Sequence, residues 1–254
     1  MRIGFIGTGT ITEAIVTGLC RSGRPPEEIW ISSRSEHRAL ALEKAWPRVR
    51  IAAPNQAVAD NADILFLAFL PGQETGILNR LAFRRDQIIV TLLAGVPLSR
   101  IRELTAPART VIRAIPLPCT ALNTGPVVMF PDDPRVNTLF SLTGSVLVPE
   151  KEEQLEIFSI ITALMAPFYA LTDTVAAWGE ARGLDRAQAA AYTSAMFKAL
   201  ALIAETAPDG DIGTLVADSM TPGGLNETAM AVISENKGFQ NIISALDEVV
   251  KKVR

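Results

Sequence analysis

The chain has 254 residues, 48% of them hydrophobic and 20% charged, and a formal net charge of −3. That is enough apolar material for one large or two ordinary folded domains. With no basic excess to neutralise a phosphate backbone, nucleic acid is not an expected partner.

Cys20 and Cys119 stand far apart with no CxxC or Cys/His clustering, so neither a disulfide framework nor a zinc site is expected. A reducing, cytoplasmic setting fits them. Residues Met1 to Ile6 run straight into an apolar strand pattern, without the charged and apolar regions of a signal peptide. Asp, Glu or Lys is expected to break every apolar stretch before the roughly 18 to 20 residues of a membrane span. The only histidine, His37, lies among Arg34, Glu36 and Arg38 and reads as a solvated helix start, which leaves none for a catalytic triad or a multi-histidine metal centre.

In chain order, β-rich apolar runs alternate with helical stretches through the first 150 or so residues. This is the pattern of βαβ units stacked into a parallel sheet. Strands are expected at Ile3–Ile6, Ile29–Ser32, Val49–Ala52, Ile64–Ala68, Ile88–Leu92, Val111–Ala114 and Pro126–Met129. A first helix, Ile11–Ser22, carries Ile11, Ile15, Gly18 and Leu19 on one face.

From about Glu150 the chain becomes rich in Ala, Leu, Glu and Lys, with helical periodicity through Glu153–Met165, Tyr169–Arg182, Arg186–Thr206 and Gln240–Val253. Gly183, Pro208–Asp211 and Pro222-Gly223-Gly224 punctuate them. Residues 1–150 are therefore expected to form an α/β domain and residues 151–254 an all-helical one. The helix from Arg186 is apolar nearly all round, more so than so small a helical half can bury alone, which points to pairing of subunits into a homodimer or higher homo-oligomer.

Two motifs carry chemistry. Gly4-Phe5-Ile6-Gly7-Thr8-Gly9-Thr10-Ile11-Thr12 follows the first strand and opens a helix. Gly7 permits the tight turn, Gly9 lets the backbone approach a pyrophosphate, and the helix N-terminus supplies amide donors, as in a Rossmann-type dinucleotide site. Thr12 stands where the fingerprint has its third glycine. At the end of the second strand an NAD site would carry an acidic residue for the ribose diol, whereas this chain has Ser32-Ser33-Arg34-Ser35. Hydroxyls and a guanidinium suit a 2′-phosphate, so NADP is favoured over NAD. In the second motif, Met220-Thr221-Pro222-Gly223-Gly224-Leu225-Asn226, Thr221 is expected to cap the following helix, with Gly223 and Gly224 exposing N–H groups to a carboxylate.

At these residues the sequence resembles the pyrroline-5-carboxylate reductase family along nearly its whole length. The opening GFIGTGTITEAIVTGL and ISSRS resemble the family's cofactor turn and second strand end; Asn55 matches an asparagine by the adenosine ribose. LAFLP, from Leu67 to Pro71, resembles "LAVKP", LLAGV resembles "AAGV", and Arg113-Ala114-Ile115-Pro116 resembles "RxMP". The Pro-Gly-Gly element resembles "SPGGTT" and is the more specific signal.

The resemblance implies reduction of a cyclic C=N bond by NADPH, with pyrroline-5-carboxylate as the default substrate. It assigns the cofactor to Ile6, Gly7, Thr8, Gly9, Thr10, Ile11, Ser33, Arg34, Ser35, Asn55, Ala68, Phe69, Leu70, Pro71 and Ala94. The substrate falls to Thr221, Gly223, Gly224, Leu225 and Asn226, with Thr221 as the contacting catalytic residue. No metal is implied.

Departures lie on the substrate side. Leu70 replaces the "VKP" lysine, Leu117 the "MPN" asparagine and Asn226 the second threonine, and Leu164–Tyr169 stands where "GSGPAY" is usual. The alternatives are reduction of a different imine, a 3-hydroxy or keto acid dehydrogenase, and a non-catalytic NADP-binding protein. The dehydrogenase reading would need an asparagine four residues beyond a helical lysine, but Lys198 is followed there by Leu202.

Overall fold

The computed structural model describes residues 1–253. They divide into two compact units, the first ending at Ser159 and the second beginning at Ile160.

The first unit runs β1 (Arg2–Ile6), α1 (Thr10–Arg21), β2 (Glu28–Ser32), α2 (Glu36–Ala45), β3 (Val49–Ala52), α3 (Asn55–Asn61), β4 (Ile64–Leu67), α4 (Glu74–Leu78), β5 (Ile88–Thr91) and α5 (Leu98–Leu104). It continues with β6 (Thr110–Ile115), β7 (Pro126–Phe130), α6 (Pro134–Ser141) and β8 (Ser145–Leu147), and α7 (Gln154–Ile161) crosses into the second unit. The expected strands are all present, shifted by about a residue at some ends.

One sheet takes the order β3-β2-β1-β4-β5-β6-β7-β8. Strands β1 to β6 are parallel, with Ile3 opposite both Ile29 and Ile64. The sheet is parallel as expected through β6, and its end adds one antiparallel pair: β7 pairs antiparallel with β6, and β8 is parallel to β7. The β6–β7 connection holds only a 3-10 turn, Pro118–Leu122, which is too short for a parallel crossover. Strand β8, absent from the sequence reading, is a three-residue edge strand with too little apolar pattern to be seen.

Helices cover both faces, so β4 and β5 are buried along their whole length. On one face Ile15, Leu19, Leu42 and Leu139 pack on Ile3 and Phe5; on the other Val58 and Ile101 pack on Leu65, Leu67 and Ile89. Phe5 stacks on Phe66 at 4.5 Å, and Phe140 of α6 meets Phe66 edge-on at 5.9 Å. The strand order reverses at β1, between β2 and β4, and the carboxyl ends of β1 and β4 open a crevice there.

The second unit is helical: α8 (Met165–Glu180), α9 (Arg186–Ala204), α10 (Ile212–Asp218), α11 (Leu225–Glu235) and α12 (Gly238–Val253). Gly183, Gly210 and Gly223, in the turns expected from sequence, have φ of 97°, 72° and 71°. Asp185 caps α9 by accepting from the Gln188 amide at 2.9 Å. Small residues let α8 and α9 approach: a Cβ added to Gly179 would lie 3.3 Å from that of Ala189. Arg186 ties the pair by ion pairs to Asp173 and Glu180.

Only Ala189 and Thr193 of α9 are buried in the single chain, while Tyr192, Leu200, Leu202 and Ile203 stay exposed. The helical run Gln154–Glu180 has a stretch of mean hydropathy 1.6, only 11% buried, and by length and composition alone would cross a membrane. Glu156 and Asp173 break this run as expected, leaving 16 uncharged residues between them, but the helix continues through both charges.

Candidate active site

The crevice at the β1 end is a cleft of about 360 Å³ lined by Gly7, Thr8, Gly9, Thr10, Ile11, Arg34, Ser35, Ala68, Phe69, Leu70, Gln73 and Leu92. Backbone geometry sets its floor. Gly7 has φ of 102°, and a Cβ there would lie 2.2 Å from the Ala68 carbonyl oxygen, so glycine alone lets the ends of β1 and β4 touch. Gly9 differs, because an added Cβ would meet nothing within 4 Å of protein. The space it keeps open is the cleft's own.

Hydrogen bonds fix the turn. The Gly7 amide donates to Ser32 Oγ at 2.9 Å, and Thr8 Oγ1 donates to the Ser32 carbonyl at 2.5 Å. Thr12 Oγ1 donates to the Gly7 carbonyl at 2.8 Å. Gly9 is the N-cap of α1, and no side chain caps that end. The first-turn amides and the helix dipole therefore face the cleft, an arrangement suited to an anion such as a pyrophosphate.

At the other end of the cleft, Arg34 Nη1 donates to Gln73 Oε1 at 2.9 Å. Ser35 is the N-cap of α2, but its side chain makes no capping bond, so hydroxyl and guanidinium are both available to a phosphate. His37 is exposed on the first turn of α2. These residues fit a dinucleotide bearing a 2′-phosphate: a bare helix end, an open Gly9, and Arg34 with Ser35.

Sequence reasoning missed Gln73 in this lining, while Leu92 belongs to the LLAGV segment that the resemblance puts on the nicotinamide side. Gln73 lies two residues past the recognised LAFLP segment, and its place in the cleft and its bond to Arg34 reveal it. Conversely Ile6, Ser33, Asn55, Pro71 and Ala94, assigned to the cofactor by resemblance, do not line the cleft. Ile6 is fully buried in the sheet, and Asn55 begins α3 behind Pro54.

Two groups outside the cleft lining are shifted by burial. Burial pushes the Arg113 guanidinium in β6 below its ordinary pKa, while Glu152 and Glu156 pull it back. Burial also pushes the Cys20 thiol up to about 11, which disfavours its thiolate, against an opposing effect of Arg48. Cys119 sits on the 3-10 turn, with its Sγ in the space a side chain at Gly125 would need. Among the described residues no group of three or more His, Cys, Asp or Glu side chains could hold a metal ion.

In the second unit the Pro-Gly-Gly turn leads into α11, and the geometry corrects one expectation. Thr221 does not cap the helix: the N-cap is Gly224, whose amide donates to the Thr221 carbonyl at 2.8 Å. The Thr221 side chain is exposed and makes no hydrogen bond among the described residues. The Gly223 amide is taken by Glu227, whose Oε2 accepts it at 2.6 Å. Neither glycine amide is free as expected, and the remaining donors are the first-turn amides of α11. Asn226 anchors the turn by donating from Nδ2 to the Ser219 carbonyl at 2.9 Å, and Leu225 is 91% exposed. Beside it α9, α10 and α11 enclose an apolar cleft of about 520 Å³, lined by Leu200, Ile203, Leu215, Val216, Met220 and Asn226 among others.

Comparison with known proteins agrees with both halves. Residues 2–95 match the family model described as NADP oxidoreductase coenzyme F420-dependent, and residues 152–254 match that of pyrroline-5-carboxylate reductase dimerisation. The pyrroline-5-carboxylate reductase of Escherichia coli K12 is 28% identical over 263 residues, covering 99% of this chain and 96% of the relative. The crystal structure of the Streptococcus pyogenes 1-pyrroline-5-carboxylate reductase superposes with a TM-score of 0.84 at 22% identity, over 100% of this chain and 98% of that one. A Plasmodium falciparum pyrroline carboxylate reductase with NADP bound gives 0.85 at 16% identity, over 100% and 97%. With a nucleotide-binding half and a dimerisation half each matched in order and relatives aligned end to end, the chain belongs to the pyrroline-5-carboxylate reductase family.

Proposed function

We propose that the protein is an NADPH-dependent imine reductase that converts 1-pyrroline-5-carboxylate to proline. The observation that carries this reading is the uncapped α1 terminus over Gly9, facing Arg34 across one cleft, in a chain whose helical half matches the reductase dimerisation model.

NADPH, when bound, supplies the hydride. The protein holds and orients the reactants. Gly9 and the α1 amides take the pyrophosphate, and Arg34 with Ser35 takes the 2′-phosphate. Phe69, Leu70 and Leu92 give the cleft an apolar side against which the nicotinamide can lie. A protonated imine is already electrophilic, so positioning carries most of the acceleration without a strong side-chain acid. The α11 N-terminus receives the substrate carboxylate, with the free Thr221 hydroxyl beside it.

The protein is a homo-oligomer, as its dimerisation half implies. We assign the contact to the apolar surface of α8 and α9, which the single chain leaves exposed, as the basis of a dimer or a larger assembly. That occupant also accounts for the apolar run Gln154–Glu180 without a membrane. A cytoplasmic location suits its two free cysteines.

The test is NADPH oxidation followed by absorbance with 1-pyrroline-5-carboxylate, beside binding titrations of NADPH and NADH. Turnover with tighter NADPH binding is expected. Tight NADPH binding without turnover would move the reading to another imine, a direction favoured by Leu70, 71% exposed at the cleft where its relatives' motif has a lysine. Loss of the cofactor reading altogether would follow from no NADPH binding.

A further inference from the structure

The turn that should receive a carboxylate already holds one. Glu227, in the first turn of α11, places Oε2 2.6 Å from the Gly223 amide nitrogen. It is a charge-assisted bond at the positive end of an 11-residue helix, where a negative group is most strongly held. Gly223 has φ of 71°, a left-handed conformation that glycine adopts without strain. The Gly224 amide is bound within the turn to Thr221, so Gly223 is the one glycine donor that a side-chain movement can release. Asn226, fixed to Ser219, keeps the turn in place when Glu227 swings away.

A substrate carboxylate entering this end would meet a like charge within a few ångströms and a donor already in use. Two carboxylates do not share one amide, so each lowers the occupancy of the other. We propose that Glu227 is a specificity-determining residue, an internal competitor that occupies the Gly223 donor and repels a substrate carboxylate approaching the first-turn amides of α11. This rests on the reading of the Pro-Gly-Gly turn as the carboxylate site. Its consequence is a raised KM for anionic substrates and a relative gain for cyclic imines without a carboxylate.

The experiment uses the full-length protein loaded with NADPH. Binding of L-proline, which carries the carboxylate, and of pyrrolidine, the same ring without it, is titrated for the native protein, Glu227→Gln and Glu227→Ala. Removing the competitor is expected to tighten L-proline by about tenfold in Glu227→Ala and by less in Glu227→Gln, which keeps a neutral acceptor. Pyrrolidine should stay within about twofold. Steady-state kinetics should show the same change in KM for 1-pyrroline-5-carboxylate with little change in kcat.

If Glu227 is only a helix cap, both variants melt earlier and bind L-proline no better, which overturns the proposal. Equal tightening of both ligands, or no L-proline binding by any of the three proteins, also overturns it. Tightened L-proline binding without turnover of 1-pyrroline-5-carboxylate would instead retire the assigned substrate and leave the role of Glu227 standing.

Discussion

Thr12 Oγ1 donates to the carbonyl of Gly7 at 2.8 Å, joining the first turn of α1 to the end of β1. The dinucleotide fingerprint usually places glycine here so that helix and strand can approach. This chain fills the space with a fully buried threonine and gains a bond across the turn. Thr12→Val keeps the shape and removes the donor. It should cost about 1–3 kcal/mol in urea denaturation, the range for leaving a buried acceptor unpaired, and weaken NADPH by loosening the loop. Unchanged stability would show that the bond is not used.

Gly7 and Gly9 look alike in the sequence and should fail differently. Alanine at Gly7 puts Cβ 2.2 Å from the Ala68 oxygen at a φ of 102°, so the ends of β1 and β4 must part. Gly7→Ala should lower the thermal midpoint substantially, since overpacking and backbone strain each cost about 1–3 kcal/mol. Gly9→Ala meets no protein atom and should melt near the native temperature, while losing NADPH affinity because its methyl group enters the phosphate space. Melting curves beside NADPH titrations separate the two, and equal losses of stability would contradict this assignment.

Arg34 is the guanidinium lining the cleft. Arg34→Ala should weaken NADPH by roughly ten- to a hundredfold, corresponding to about 1.5–3 kcal/mol for a hydrogen bond to a charged group. NADH, with no 2′-phosphate, should change little. Equal losses for both nucleotides would mean that Arg34 serves the fold instead. The bond from Arg34 to Gln73 predicts a smaller loss in Gln73→Ala, again confined to NADPH.

The nucleotide half was legible because its signals are local. Alternating apolar strands, Gly7 and Gly9 before a helix, and Arg34 two residues past β2 are read from adjacent residues. What escaped depends on distant partners. Gln73 joins the site through a bond to a residue 39 positions away. The reversal at β7 follows from connection length, and β8 is held by its pairing with β7. Thr221 was misread as a cap because a threonine before Pro-Gly-Gly suits that role, whereas the turn places Gly224 at the N-cap and turns Glu227 back to Gly223. The apolar helical run was not seen as one element because it continues through Glu156 and Asp173, where a run of uncharged residues stops.

Asp133 offers a pH test of the fold away from the site. It caps α6, accepting from the amides of Arg135 at 3.0 Å and Val136 at 3.4 Å, with Pro134 at the first helical position. The Arg135 guanidinium, with these amides, holds its carboxyl below the usual carboxylate range against the opposing effect of burial. Because the folded pKa is depressed, the contribution is complete above the unfolded value of about 4 and disappears as pH falls through the lower folded value. Asp133→Ala should therefore cost about 1–2 kcal/mol near neutral pH, the usual range for a lost N-cap. The difference from the native protein should shrink as pH drops below about 4. The Arg135 side chain is 57% exposed, so the ion pair itself adds little and Arg135→Ala should be the milder change. Denaturant midpoints across pH 3 to 7 measure both, and a gap that stays constant through the acid range would show that Asp133 acts without its charge.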